Sequence, residues 1–341
     1  MHLASKSLHI AALLAFTASL AAGPASAQGT KLKLTLDWKF GGETAPFVMA
    51  KAKGYYEQEG LDVQIDAGSG SAASVTRVAS GAYDVGLGDI TTLIEFYANN
   101  PADKRLQAVY QLYQRAPFTI FALKKSGITS AEQLNGKKVA AGAMESTRRV
   151  WPIAAPKMHL VSPGIQWVTM DFSLKDSALI RGDVDAMTAF EGSISNIYPL
   201  GVKPEDLVVF RFADYGVKLY GNAILATTKL IAENPKAVSA FLRASNRAIK
   251  EAIANPPEAI RYLKQRDALT NEPLETDRFR ITMRYLAPAE TRAEGLGAID
   301  MKVLESQIDD VASALGLKSK PSVDTLFNTA FLPPKSERLV P

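Results

Sequence analysis

The chain has 341 residues, with 39 Lys+Arg against 35 Asp+Glu, no cysteine and 47% hydrophobic residues, the composition of a globular protein of about two domains. Its histidines are His2, His9 and His159, and the first two fall in a leader described below. This nearly excludes Cys/His zinc sites, cysteine nucleophiles and triads whose histidine lies anywhere but position 159. Lys and Arg are scattered, with no run beyond pairs such as Lys124-Lys125, Lys137-Lys138 and Arg148-Arg149, which describes a solvated surface and no nucleic-acid footprint.

Residues 1–27 hold Lys6, an apolar run from Ile10 to Ala22 broken by Thr17 and Ser19, then Gly23-Pro24 and Ala25-Ser26-Ala27. The run is too short for the ~20 apolar residues of a membrane span, and the helix breakers sit where a cleavage site needs them, so a cleaved secretory signal peptide is expected. Gln28 follows the cut where a lipoprotein would have cysteine. The expected product is free in the periplasm, and no later segment reaches the length of a transmembrane helix.

Leu32 to Leu36 alternates apolar and polar residues as a half-buried strand does, and Thr44-Ala45-Pro46 opens a helix running to Tyr55. Val63 to Ile65 is the next strand, and Gly68-Ser69-Gly70-Ser71 feeds a helix with Ala72, Val75 and Val78 on one face, stopped by Gly81. A strand from Val85 to Leu87 ends at Gly88-Asp89, where Asp89 can cap a helix to Tyr97. Strand, loop and helix repeated in this way predict a parallel α/β sheet. A second run begins near Pro117, with strands at Phe118 to Leu123 and Lys138 to Ala141, a short helix at Thr129 to Leu134 and a turn at Leu134 to Lys138. Ser80 to Gly86 and Arg181 to Ala186 echo one another as helix end, glycine cap, acidic turn and entering strand, which favours two similar lobes. From Leu230 the pattern turns helical: Asn234-Pro235 opens a helix of about twenty residues, Pro256-Pro257 begins another, Met301 to Leu315 is amphipathic, and Phe331 to Pro334 forms an end-strap.

Three loops, Gly41 to Thr44, Gly68 to Ser71 and Gly88 to Thr92, leave the carboxyl ends of strands and enter helix N-termini, the usual place for a ligand on an open α/β sheet. Gly142 to Arg148 and Phe190 to Ser193 would face them from the other lobe, and the convergence of all five predicts a cleft. No dinucleotide or Walker glycine spacing occurs, and carboxylate pairs such as Glu57 and Glu59 or Asp183 and Asp185 fall on turns, so no enzyme signature emerges. Trp38 beside Asp37, and Tyr215 and Tyr220 in a glycine-punctuated stretch, offer stacking and acceptor groups suited to a flat hydrogen-bonding ring.

Leu36-Asp37-Trp38, Ala45 to Lys51, Lys53 to Val63, Gly68 to Ser71, Ala79 to Gly86, Lys125 to Ile128, Leu134 to Lys138, and Asp214-Tyr215-Gly216 through Tyr220-Gly221-Asn222 together resemble the NitT/TauT-type periplasmic substrate-binding proteins, over nearly the whole chain after the leader. The resemblance implies an α/β, two-lobe, type II periplasmic binding protein fold with a helical C-terminal segment, divided as 28–115 plus 215–341 and 116–214. It also implies capture of a small solute for an ABC importer, with an inner-membrane permease and its cytoplasmic ATPase as partners, and a monomer needing neither cofactor nor metal. The Asp-Trp start is most similar to the branch that binds thiamine-pyrimidine precursors, although Thr44 stands where that branch often has histidine, and the cysteine-rich segment of its yeast enzyme relative is absent. On this reading Trp38 stacks on the solute, Asp37 and Glu191 accept its N–H groups, and Thr44, Ser69, Gly70, Ser71, Asp89 and Thr91 hold its polar edge. Ser146, Tyr215, Tyr220 and Asn222 complete the expected site. A sulfonate or carboxylate binder with Arg148 as counter-charge, a pyrimidine-biosynthesis enzyme using Thr44 or His159, and a sensor subunit remain the alternatives.

Overall fold

A computed structural model describes residues 29–160 and 164–340, so the leader assigned from the sequence lies outside the described residues. The strands are β1 Thr30–Thr35, β2 Leu61–Asp66, β3 Val85–Asp89, β4 Leu106–Gln111, β5 Phe118–Leu123, β6 Lys138–Ala141, β7 Gln166–Thr169, β8 Ala186–Phe190, β9 Leu207–Arg211 and β10 Asn222–Thr227. They form two five-stranded sheets, ordered β2-β1-β3-β10-β4 and β7-β6-β8-β5-β9. The chain passes from the first sheet to the second through residues 112–117 and returns through 212–221.

The expected parallel sheet is in fact mixed. The pairs β1–β2, β1–β3, β6–β7 and β6–β8 are parallel, as strand–helix–strand units require, whereas β10 and β5 run antiparallel to both neighbours. The reason is their route: each enters from the opposite sheet along a short link, with no crossover helix to turn it parallel. Every residue of β5 and β10 is buried, which accounts for their mostly apolar sequences, interrupted only by Thr119 in β5 and by Asn222 and Thr227 at the ends of β10.

The acidic turns that echo one another hold equivalent places. Asp84, before β3, accepts a hydrogen bond from Lys33 N–H at 2.8 Å, and Asp185, before β8, accepts one from Lys138 N–H at 2.8 Å. In each sheet the carboxylate holds a backbone N–H of the neighbouring first strand, within β1 and at the first residue of β6, so the two sheets share a locking contact as well as a strand order.

Helix Pro235–Ala254 begins where the sequence places it, with Asn234 capping Ala237 N–H at 3.2 Å and Pro in the first turn, where its missing donor costs nothing. Its face carrying Phe241, Leu242, Ala248 and Ile249 is buried against helix Ala45–Ala52 and the first sheet. Tyr56 stacks on Phe241 at 5.2 Å and hydrogen-bonds Ser245 at 3.0 Å. Replacing Phe241 by Ala would leave a cavity costing about 3–5 kcal/mol. The end of the described chain returns to this core: Phe331 and Leu332 pack on it, and buried Arg338 donates to the carbonyls of Pro333 and Leu296.

Candidate ligand-binding cleft

The first wall is built where β1 ends. Gly68 and Gly70 donate their N–H groups to the carbonyls of Trp38 (2.8 Å) and Asp37 (2.6 Å), zipping the Gly68–Ser71 loop onto the Asp37-Trp38 turn. A Cβ at Gly68 would lie 2.0 Å from the Leu36 carbonyl oxygen, so only glycine permits this approach. The Asp37 carboxylate accepts from Asn222 Nδ2 at 2.6 Å, and burial raises its pKa against the opposing effect of that hydrogen bond. Asn222 is itself buried, and its Oδ1 has no partner.

Between the two sheets lies a cavity of about 200 Å³. At the ~10–15 Å³ that one water needs, it holds roughly a dozen water-sized groups, the scale of a one- or two-ring solute. Asp37, Trp38, Glu43, Ser69 to Ala72, Tyr113 and Asn222 line it from the first sheet's side, with Thr282 and Tyr285 from helix Glu272–Leu286. Met144, Glu145, Ser146, Phe172, Lys175, Asp176, Met187, Phe190, Ser193 and Asn196 line it from the second. Trp38 and Phe172 meet across the cleft edge-to-face, with centroids 5.2 Å apart.

The charges of the two walls are handled differently. Lys175 is the only cationic side chain on the cavity wall among the described residues. Its three donor positions are all taken, by both Glu145 oxygens at 2.9 Å and the Thr188 carbonyl at 2.7 Å. Glu145 also accepts from Gly142 N–H at 2.8 Å. On the opposite wall, Glu43 retains 20% side-chain exposure while its Oε2 is buried without a partner, 3.7 Å from Arg278 Nε. Burial raises the Glu43 pKa and Arg278 opposes the shift; burial likewise raises Asp176.

Of the residues expected from the sequence, Asp37, Trp38, Ser69, Gly70, Ser71, Ser146 and Asn222 are brought together on this cavity. The others are placed elsewhere, each for a local reason. The Thr44 hydroxyl is buried and exchanges hydrogen bonds with the Gly41 backbone at 3.1 Å. Asp89 caps Thr91 and Thr92 N–H at 2.9 and 3.4 Å beneath the wall, and burial pushes its pKa up to about 7. Thr91 accepts from Gln307 at 3.3 Å, and the Tyr220 hydroxyl accepts from Asp300 N–H at 3.0 Å. Tyr215 packs, half-buried, on the core beside the second sheet. The Arg148 guanidinium stands over Trp167, 5.1 Å from the ring centroid, and donates to Thr169 Oγ1 at 2.7 Å. Glu191, the expected acceptor on the second wall, is buried under Arg211 (2.6 Å), Arg284 (2.8 Å) and the Tyr285 hydroxyl. Its lone pairs are committed to a tie between the second sheet and helix Glu272–Leu286.

Sequence reasoning missed Glu43, Tyr113, Phe172, the Lys175–Glu145 pair, Phe190 and Tyr285. Glu43, Glu145 and Phe190 had a signal, since they lie inside the Gly41 to Thr44, Gly142 to Arg148 and Phe190 to Ser193 segments. The others stand in ordinary helical, strand or linker patterns that carry no local mark of a cleft.

Two sheets of this strand order, joined by two links around a cleft, define an α/β protein of the periplasmic-binding-protein fold. The aliphatic sulphonate binding protein SsuA of Escherichia coli superposes with a TM-score of 0.70 at 15% identity, over 89% of this chain and 94% of that one. The chain belongs to the NMT1/THI5-like family, whose model matches residues 42–259. Among named relatives, a putative thiamine biosynthesis protein of Haemophilus influenzae is 25% identical over 84% of this chain and 90% of its own. The riboflavin-binding protein RibY of Chloroflexus aurantiacus is 25% identical over 93% and 90%. A 4-amino-5-hydroxymethyl-2-methylpyrimidine phosphate synthase of Candida albicans is 26% identical over 67% and 69%.

Proposed function

We propose that this protein is the periplasmic solute-binding component of an ABC importer, and that its solute is a small polar ring bearing N–H donors. The reading includes export through a leader cleaved after Ala27, a monomer divided as 28–115 plus 215–341 and 116–214, and delivery to an inner-membrane permease with its cytoplasmic ATPase. Binding rather than turnover is the role assigned on this reading, in keeping with a wall whose polar groups are mainly carboxylates, amides and hydroxyls. The observation that carries the ligand class is the pairing on the wall: its one cation is consumed by Glu145 and Thr188, while the acceptors Asn222 Oδ1 and Glu43 Oε2 lack donors. Trp38, Phe172, Phe190, Tyr113 and Tyr285 supply ring surfaces around those acceptors. The sulphonate-binding neighbour keeps an anion as the second reading, but here Arg148, its proposed counter-charge, pairs outside the cavity wall.

The test is thermal unfolding of residues 28–341 with 4-aminopyrimidines, flavins, taurine and alkanesulfonates, together with native mass spectrometry of the protein as purified. A solute at a hundred times its Kd adds about 2.7 kcal/mol, an easily read shift. A shift with a ring solute is expected. A shift confined to alkanesulfonates overturns the ring reading and retains the binding role, and conversion of a bound pyrimidine to product overturns the binding role.

A further inference from the structure

We propose that Glu43 is a second, charge-bearing anchor of the solute, and that the solute therefore enters the cleft as a cation. This rests on the solute-binding reading above and specifies it further.

The argument is an accounting of donors around helix Glu272–Leu286. Two carboxylates, Glu43 and Glu275, share one guanidinium, that of Arg278. Glu275 takes it bidentately, with Arg278 Nη1 at 2.7 and 2.8 Å from its two oxygens, and also accepts Gly42 N–H at 2.6 Å. Arg278 spends its Nε on Ser195 Oγ at 3.2 Å and its Nη2 on Asn196 Oδ1, both on the segment after β8. Its nearest approach to Glu43 is the 3.7 Å already given, beyond hydrogen-bond range. Glu43 thus lines the cavity with its side chain 20% exposed, while one of its carboxylate oxygens, Oε2, is buried without a donor. Leaving a carboxylate oxygen in that state is costly unless something else fills the valence.

The backbone that carries Glu43 is held in place. A Cβ at Gly42 would lie 2.2 Å from the Glu275 carbonyl oxygen and 2.9 Å from Phe279 N, so the loop carrying Glu43 is seated directly on the helix. Asp37 stands on the same wall with an amide, Asn222, as its side-chain partner, and Asn222 Oδ1 is a further unmatched acceptor buried at 2% exposure. A neutral ring would serve Asp37 and Asn222 and leave Glu43 unmatched. A ring that also carries an ammonium or amidinium group satisfies all three, and an anion meets two carboxylates. Arg278 acts as a positioning residue, holding the Glu43 loop to the second sheet, and its single charge is shared between Glu275, which takes it bidentately, and Glu43 at 3.7 Å.

The experiment is calorimetric titration of wild type and Glu43→Gln with two probes of matched shape, 4-amino-5-hydroxymethyl-2-methylpyrimidine and its 5-aminomethyl counterpart, which is cationic at neutral pH. Wild type should bind the aminomethyl probe about ten- to hundredfold more tightly, the range of a hydrogen bond to a charged group. Glu43→Gln should abolish that preference, bringing the aminomethyl probe down to the affinity of the hydroxymethyl probe, with its melting temperature confirming the fold. Equal binding of both probes to wild type, or a preference that survives Glu43→Gln, overturns the proposal and leaves the ring reading standing. Failure of both probes to bind overturns the proposal, and overturns the ring reading with it when flavins also leave the melting temperature unchanged.

Discussion

The two walls of the cleft come from sheets with one plan and different electrostatics. Both sheets place their strands in the same order and secure a first strand with an aspartate from the turn before the third, Asp84 on Lys33 and Asp185 on Lys138. The second wall nevertheless pairs its cation internally, burying Lys175 and Glu145 together at 4% and 5% exposure. What it then turns toward the cavity is Met144, Phe172, Met187 and Phe190, interspersed with Ser146, Ser193, Asn196 and the carboxyl of Asp176. The first wall leaves Asp37 with an amide, Glu43 without a donor and Asn222 Oδ1 open. On the proposed solute-binding reading, a shared backbone plan thus carries a division of labour, in which the first wall would recognise the solute and the second cover it. Cross-cleft contacts such as Thr92–Ser146 and Arg149–Glu95 link the walls at the edge.

The largest expected effect follows from that internal pair. Lys175→Met removes one member of a buried pair and strands Glu145, so urea unfolding should show a loss of about 3–5 kcal/mol, whereas Lys175→Met with Glu145→Leu should recover much of it. A single-variant loss below ~1 kcal/mol would mean that water reaches the pair and that the walls do not differ in this way. Next in size is Asp89, buried under the first wall with its pKa raised from 3.8 to about 7. Because the folded value is the higher, the stability this group contributes is fully present below pH 4 and is lost as pH rises through 7. Asp89→Asn keeps a capping acceptor for Thr91 and Thr92 but never ionises, so relative to it the wild type should lose on the order of 4 kcal/mol between pH 4 and pH 8. A pH-independent difference would place the Asp89 charge in contact with solvent.

Glu191 sharpens the comparison at a smaller scale, because it was expected on the second wall as an acceptor for the solute. Glu191→Gln weakens charge-assisted bonds to Arg211 and Arg284, which are 29% and 56% exposed and can rehydrate, so about 1–3 kcal/mol of stability should go. The ranking of ring over sulfonate probes should not change. A changed ranking would return Glu191 to solute contact.

These residues also mark how far the sequence could be read. Elements whose signals are local were legible: β5 and β6, the Asn234-Pro235 helix start, the Asp89 cap and helix Met301–Leu315 all stand where capping and periodicity put them. So was the side of the cleft built from Asp37, Trp38 and Ser69 to Ser71, since one loop and one turn make it. The antiparallel β10 was not, because direction depends on where a strand comes from rather than on its composition. The pairings of Glu191 with Arg284 and of Glu43 with Arg278 were not either, because they span 93 and more than 200 positions and no pattern within a single element records them. A carboxylate in a glycine loop looks the same in sequence whether it faces solvent, a solute or an arginine brought in by a distant helix.

The smallest expected effect separates the two ligand classes most directly. Were the solute an anion, the counter-charge expected from the sequence would be Arg148, and its loss would cost a charge-assisted contact of about 1.5–3 kcal/mol, or ten- to more than a hundredfold in affinity. The guanidinium instead lies over Trp167 and on Thr169 Oγ1, where a half-exposed cation–π contact is worth ~0.5–1 kcal/mol to stability and nothing to the cavity. Arg148→Ala should therefore change the Kd of any ring solute by less than about twofold, and should leave the response to alkanesulfonates as it is in wild type. A tenfold loss for a sulfonate that wild type does bind would show that the cleft rearranges around Arg148, and the acceptor-rich first wall would then not be what selects the solute.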